Sequence, residues 1–386
     1  MDHHRFLCVA CVAATALATL LIPAALLAQA SGPGSPSPPD KAAFRESVQR
    51  AIDFLRTKAQ APDGSYAGAA GPGVTAVVTT GILRHGRTPS DPLVAKSLKH
   101  LEALVQPDGG IYQPNSLYRN YETCLALLCL REANRDGRYD KVIQNADRFL
   151  KAHQWDESEG HDRTSVNYGG AGYGKHERPD MSNTQFLLEA LVAAGNGPDD
   201  PAIQKALIFV SRCQNLETEH NTTQFAPKNP DGGFYYTIAA GGSSKAGETP
   251  NGGLRSYGSM TYAGLKSMIY AGVGPDDPRV KAAYDWICKH YDVKTNPGLG
   301  DAGLYYYYHT FAKALDAMGI DQVDAADGTQ HDWRRELRQQ LLACQRPDGS
   351  WINDKNPRWL EGEPSLVTGY ALLALSYCRP ATPDKP

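Results

Sequence analysis

The chain has 386 residues, 41% hydrophobic and 21% charged, with a formal net charge of −3. That composition suits a packed globular fold and excludes a low-hydrophobicity disordered chain. Acidic and basic residues are mixed along the sequence with no Lys/Arg run, so nucleic acid is not an expected partner. The N-terminus reads as a targeting segment. His3, His4 and Arg5 precede an apolar run from Phe6 to Leu27, and Ala28-Gln29-Ala30 is a small-residue cleavage pattern. Residues 1–30 are expected to be a signal peptide, which makes the mature protein exported, either periplasmic or extracellular. Retention of the run as an uncleaved anchor is the other possibility. Residues 31–40 are rich in Pro and Ser and read as a disordered linker. No later apolar stretch reaches membrane-spanning length.

From residue 41 the chain repeats itself. Ala61-Pro62-Asp63-Gly64-Ser65-Tyr66, Pro107-Asp108-Gly109-Gly110-Ile111-Tyr112, Pro230-Asp231-Gly232-Gly233-Phe234-Tyr235 and Pro347-Asp348-Gly349-Ser350-Trp351 are versions of one turn. Pro presets φ, Asp bonds its own backbone, and Gly takes the φ > 0 position. Such recurrence means a repeat architecture.

Each turn is preceded by a helix with a one-sided apolar stripe. The six stripes begin with Phe44, Val48, Ile52 and Leu55, then Val94, Leu98 and Leu101, then Val142, Ala146, Phe149 and Leu150. They continue with Ile203, Leu207 and Val210, then Val280, Tyr284 and Ile287, then Trp333, Leu337 and Leu341. Copies three and five replace the Pro-Asp-Gly turn with Asn167-Tyr168-Gly169-Gly170 and Asn296-Pro297-Gly298-Leu299-Gly300. Each turn is followed by a helix that is apolar nearly all round, roughly 73–85, 118–133, 181–194, 256–271, 304–318 and 364–378. A helix with no polar face is buried on all sides. Half-polar helices alternating with apolar ones predict an all-α fold, an (α/α)6 toroid over residues 41–380 with an outer and an inner ring. Residues 381–386 are left as a disordered tail.

Six cysteines lie beyond the leader, three of them, Cys124, Cys129 and Cys378, inside apolar helices. They read as buried thiols acting as small hydrophobes. The polar loop 157–178, with His161 and His176, reads as a solvated connection, and the Gly/Ser-rich loop 239–254 reads as mobile.

The Gln-x-x-Asp-Gly-x-aromatic turns, Gln60 to Tyr66 and Gln345 to Trp351, resemble the repeats of squalene and terpene cyclases, and the paired helices are similar to the prenyltransferase/squalene-cyclase toroid superfamily. The resemblance spans roughly residues 41–380. It implies a central cavity for an apolar, isoprenoid-like molecule. The family's catalytic motifs are not reproduced. Asp180-Met181-Ser182-Asn183-Thr184 is the best match to the cyclase DxDD motif, and Ser182 stands where the proton-donating Asp is needed. Tyr308-His309-Thr310 resembles the zinc-ligating segment of protein prenyltransferases, but the partner positions read Arg255 and Tyr257. One His is not a zinc site, so no metal and no cofactor is expected.

What remains unusual is Tyr305-Tyr306-Tyr307-Tyr308-His309 at the head of an inner helix. Aromatic faces stabilise cations and stack on flat apolar groups. The expected site is a pocket at the N-terminal mouth of the inner ring, with Tyr257, Tyr305, Tyr306, Tyr307 and Tyr308 as ligand-binding residues. His309, Asp180 and Glu122 are its candidate catalytic groups. Two functions fit. One is a toroid that binds an apolar small molecule or a protein partner. The other is an enzyme of altered, terpene-cyclase-like chemistry.

Overall fold

The computed structural model describes residues 38–174 and 178–380. Twelve α-helices follow one another among them. The outer ones are α1 (Pro38–Phe54), α3 (Pro92–Glu102), α5 (Asp140–Lys151), α7 (Pro201–Arg212), α9 (Pro278–Lys289) and α11 (Trp333–Cys344). The inner ones are α2 (Pro72–Arg84), α4 (Arg119–Ala133), α6 (Met181–Ala193), α8 (Gly258–Tyr270), α10 (Leu304–Ala317) and α12 (Pro364–Tyr377). A two-stranded antiparallel hairpin, β1 (Gln322–Asp324) and β2 (Gln330–Asp332), joins α10 to α11 with Val323 opposite His331.

The inner ring closes. Each of α2, α4, α6, α8, α10 and α12 packs on the next, and α12 packs back on α2. At that closing seam a Cβ added to Gly369 would lie 3.0 Å from Val77 Cγ1, so glycine lets the two helices approach closely without displacing α2 side chains. The inner helices are buried along almost their whole length, for example every residue from Gly258 to Met268 in α8. Outer helices bury one stripe, as α5 does with Ile143, Ala146, Phe149 and Leu150.

The recurrent turns act as a latch. Asp63, Asp108, Asp231 and Asp348 each accept a hydrogen bond at Oδ1 from the backbone N–H two residues on, at 3.0 Å. The turn glycine has positive φ and presses on the backbone of the next outer helix. A Cβ on Gly232 would sit 2.6 Å from the Ala282 carbonyl oxygen of α9. The glutamine before the turn ties helices together. Gln60 donates to the Leu93 carbonyl, Gln154 to Ala202, Gln214 to Arg279 and Gln345 to Ser47. Each of these acceptors lies in the next outer helix, so Gln345 closes the outer ring onto α1. The residue after the turn donates its N–H to a threonine on an inner helix: Thr75, Thr123, Thr184, Thr261 and Thr368. In the fifth unit the link runs the other way, with the Tyr307 hydroxyl donating to the Asp292 carbonyl and the Tyr308 hydroxyl to Val293.

Two local expectations differ from the structure. α1 begins at Pro38, inside the stretch read as linker, because proline is tolerated in a first helical turn where its missing N–H would be unpaired anyway. The loop 239–254, expected to be mobile, is folded by turns and by bridges between Thr237 and Ser243 and between Glu248 and Leu254. The leader, the tail 381–386 and His176 lie outside the described residues. All six cysteines between 38 and 380 are free thiols; Cys124, Cys129, Cys213 and Cys378 are buried and Cys344 is exposed. No described helix is long and apolar enough to cross a membrane.

Candidate functional site

A cavity of about 1050 Å³ opens at the N-terminal ends of the inner helices. Every inner helix contributes to its wall. Tyr121 and Leu125 come from α4, Ser182 from α6, Met260 from α8, Tyr306 from α10, Leu366 and Tyr370 from α12, and Val74 and Val77 from α2. Its volume sits at the upper end of the roughly 300–1,000 Å³ usual for small-molecule sites. Tyr118, Tyr173, Tyr236, Tyr257 and Trp359 complete an aromatic lining around the mouth.

The mouth is built under strain. Ala67, Asn115, Trp359 and Leu360 have left-handed backbone without being glycine (φ 47°, 64°, 57° and 65°), and all four line the cavity. Each such residue costs on the order of 1–3 kcal/mol and persists only where the surroundings over-determine it. Large apolar side chains are exposed at the same place: Leu117 61%, Tyr118 53%, Trp359 41% and Leu360 52%. Clustered exposed apolar surface marks interaction sites, whereas scattered single residues do not.

Asp180, Glu361 and Glu363, acids near the cavity, cap helix ends, and Glu122 is held by the loop before its own helix. Asp180 is the N-cap of α6, accepting from Asn183 N at 2.9 Å and from Asn183 Nδ2 at 2.9 Å. It also accepts the Tyr236 hydroxyl at 2.9 Å. Asp180 is buried just behind the wall, and that burial raises its carboxyl against the opposing pull of Asn183 and Tyr236. Glu122 does reach the cavity. Its carboxylate accepts from Ser116 Oγ at 2.9 Å and Gln113 N at 3.2 Å, and it occupies the space a side chain on Gly71 would need. Burial raises its carboxyl too. Sequence reasoning missed Glu361, which reaches across to cap α10, accepting from Tyr305 N at 2.8 Å and Tyr306 N at 2.9 Å. Glu363 caps α12 through Ser365 N. Negative groups at helix N-termini complement the dipole.

The tyrosine run divides by helical geometry, because consecutive residues point about 100° apart. Tyr306 faces the cavity, its hydroxyl 3.2 Å from Ser182 Oγ and its ring 6.0 Å from that of Tyr370. Tyr257 also lines the cavity. Tyr305, Tyr307 and Tyr308 do not. Tyr307 and Tyr308 brace the 292–293 backbone, and Tyr305 packs edge-on against Tyr308. His309 departs from the expected pocket as well. Three residues after Tyr306 it keeps the lumen face but lies nearly one turn deeper, stacked on Tyr370 at 5.9 Å. It lines a second cavity of about 30 Å³ beneath Tyr370, which borders both spaces.

That lower level holds charges the apolar reading of the inner helices overlooked. Glu189 of α6 is buried between the ammonium groups of Lys266 on α8 and Lys313 on α10, and Lys266 also donates to Gln185 Oε1. Burial and the Lys313 charge hold Lys266 well below the ordinary lysine range. Burial, Lys313, Lys266 and Arg84 likewise push His309 well below the ordinary histidine range, and its Nδ1 has no hydrogen-bond partner among the described residues. A neutral imidazole is the result. The sequence signal was a lone Lys or Glu inside an otherwise apolar helix, which requires a buried partner. Among the described residues no group of three or more His, Cys, Asp or Glu side chains is placed to hold a metal.

Solved structures share this architecture. The apo form of the type II terpene cyclase MstE from Scytonema superposes with a TM-score of 0.51 at 14% identity, covering 88% of this chain and 98% of that one. A single-residue variant of the same enzyme, also apo, gives a TM-score of 0.50 at 14% identity with the same coverage. The fold is the terpenoid-cyclase toroid. No family model matches the sequence, and no curated protein matches it. At such identity the likeness concerns fold alone. Within this terpenoid-cyclase toroid, the inner-helix heads that form the large cavity are also where Ser182, Glu122 and Tyr257 meet.

Proposed function

We propose that this protein is an exported binding toroid that holds an apolar, isoprenoid-like small molecule in the large cavity. One observation carries the reading. The cavity is walled by Tyr121, Tyr257, Tyr306, Tyr370, Met260 and Leu366, while the acids at its edge are engaged by backbone and side-chain donors. Aromatic and aliphatic walls favour apolar ligands. Alkene protonation needs a carboxylic acid kept neutral and aimed at the substrate, and Ser182 supplies none. Export is supported by the N-terminal apolar run and its Ala28-Gln29-Ala30 end.

The test is titration of the purified protein with all-trans-geranylgeraniol, with Tyr306→Ala and Tyr257→Ala as variants. Saturable binding that weakens at least tenfold in the variants, without loss of the folded state, is the expected result. Absence of saturable binding sinks the reading.

A second reading, a cyclase-like enzyme of altered chemistry, is favoured by Asp180. Its carboxyl is buried and raised, and the hydroxyl of Tyr236, a cavity-lining residue, donates to it directly. Product formation from an isoprenoid that disappears in Asp180→Asn would install this reading in place of the first.

A further inference from the structure

Lys245 in the cavity wall, and Arg178 and Arg358 against aromatic rings of that wall, have no carboxylate partner among the described residues. Lys245 lines the cavity, its Nζ 4.2 Å from the centre of the Tyr236 ring. Arg178 lies on the same ring, its Cζ 5.6 Å from the centre. Arg358 lies over Trp359, which also lines the cavity, with its Cζ 4.4 Å from that ring. Several other cations are matched, Lys151 to Asp147 and Asp200, Lys205 to Asp156 and Glu157, and Arg334 to Asp316 and Asp321, whereas these three unpaired ones share the aromatic rim of a single cavity. The whole chain carries −3, so this positive corner runs against the average.

The corner is also repulsive. Burial, then the charges of Arg178 and Arg358, lower the Lys245 ammonium, and Asp180 only partly opposes them. Asp180 is already engaged by Asn183 and Tyr236, so it is not free to neutralise the group. Unmatched cations packed around one opening are relieved by an anion, and charge-assisted hydrogen bonds to carboxylate or phosphate are the strong ones. The same cavity wall carries Tyr121, Met260, Tyr306 and Leu366, so a charged group and an apolar surface border one space; its acids Glu122, Glu361 and Glu363 are already engaged by Ser116, by Tyr305 and Tyr306, and by Ser365.

We propose that the cavity takes an amphiphile with an anionic head, a carboxylate or a phosphate, the head lying among Arg178, Lys245 and Arg358 and the apolar chain running past Tyr236 toward Tyr257 and Tyr306. This rests on the apolar-ligand reading above and adds the polarity of the head. Lys245 comes from the 239–254 loop, which gives that folded loop a role.

The experiment compares four ligands of one chain length on the purified protein by calorimetric titration: geranylgeraniol, geranylgeranoic acid, geranylgeranyl phosphate and geranylgeranylamine. At least one anion binds about tenfold tighter than the alcohol, and the amine binds more weakly. Lys245→Gln and Arg358→Gln each remove about tenfold from the anion and leave the alcohol within about twofold. Arg358 is exposed, so its variant folds independently of the outcome. The stronger of the two anions names the head. An alcohol that binds as tightly as both anions, a preferred amine, or variants that weaken alcohol and anion equally each overturn the proposal while leaving the apolar cavity intact. If no member of the series binds, both proposals fall.

Discussion

Glu189→Gln is the perturbation that probes the toroid's interior most directly. The glutamine keeps the size of the side chain, so no void is made and only the charge is lost. Wild type buries one carboxylate between two ammonium groups from neighbouring helices. The variant leaves Lys266 and Lys313 facing each other in the core. Removing one partner of a buried ion pair costs about 3–5 kcal/mol. For roughly 340 residues the entropy of unfolding is on the order of 0.7 kcal/mol per degree, so Tm falls by about 4–7 °C. Differential scanning calorimetry at pH 7 measures it. The deficit shrinks as pH rises toward 10, because a lysine whose folded pKa is depressed loses its penalty as the unfolded chain also deprotonates. The triple change Glu189→Leu, Lys266→Met and Lys313→Met restores Tm to wild type or above, since apolar replacement of a buried charge cluster is often neutral or stabilising. A Glu189→Gln protein melting within one degree of wild type refutes the reasoning.

The ring closure is tested by Gln345→Ala, which strips donors from the carbonyls of Ser47 and Gly349, both at 2.9 Å. It costs about 1–3 kcal/mol, and hydrogen exchange speeds up in α1; Gln106→Ala, whose amide bonds only its own turn at Leu104 and Tyr112, leaves α1 protected. Equal protection of α1 in both variants would show that the latch does not close the ring. Acid destabilisation follows from His309. Its folded pKa lies below the unfolded value of about 6.5, so its contribution is complete above that pH and is lost as pH falls through and below it. His309→Gln therefore loses less stability than wild type between pH 7 and 5 in urea titrations, and parallel curves would contradict the assignment. Incubation with squalene yields no hopanoid, in wild type or in Ser182→Asp with Asn183→Asp, because a lone acid without a fitted chamber does not orient the alkene. Detection of a hopanoid by gas chromatography in either protein counts against this.

The sequence determined the ring before any coordinates. Repetition of a Pro-Asp-Gly turn and alternation of half-polar with apolar helices are local properties, and the expected inner helix 304–318 is observed as Leu304–Ala317. Such periodicity depends only on which side of a helix must be dry. The site was legible in part. Tyr257, Tyr306, Glu122 and Ser182 sit at inner-helix heads and meet in the cavity. Which tyrosine of the run faces inward, and that His309 lies one level lower under Tyr370, depended on the rotation of α10 against α12. Glu361 and Lys245 come from loops that no period governs, and they reach the cavity only because the ring brings distant segments together. Glu189, Lys266 and Lys313 stood in plain view as charges in apolar helices, yet their pairing is 77 and 124 positions apart. Local pattern dictates secondary structure and its dry face; convergence of side chains across a closed ring is a property of tertiary packing alone.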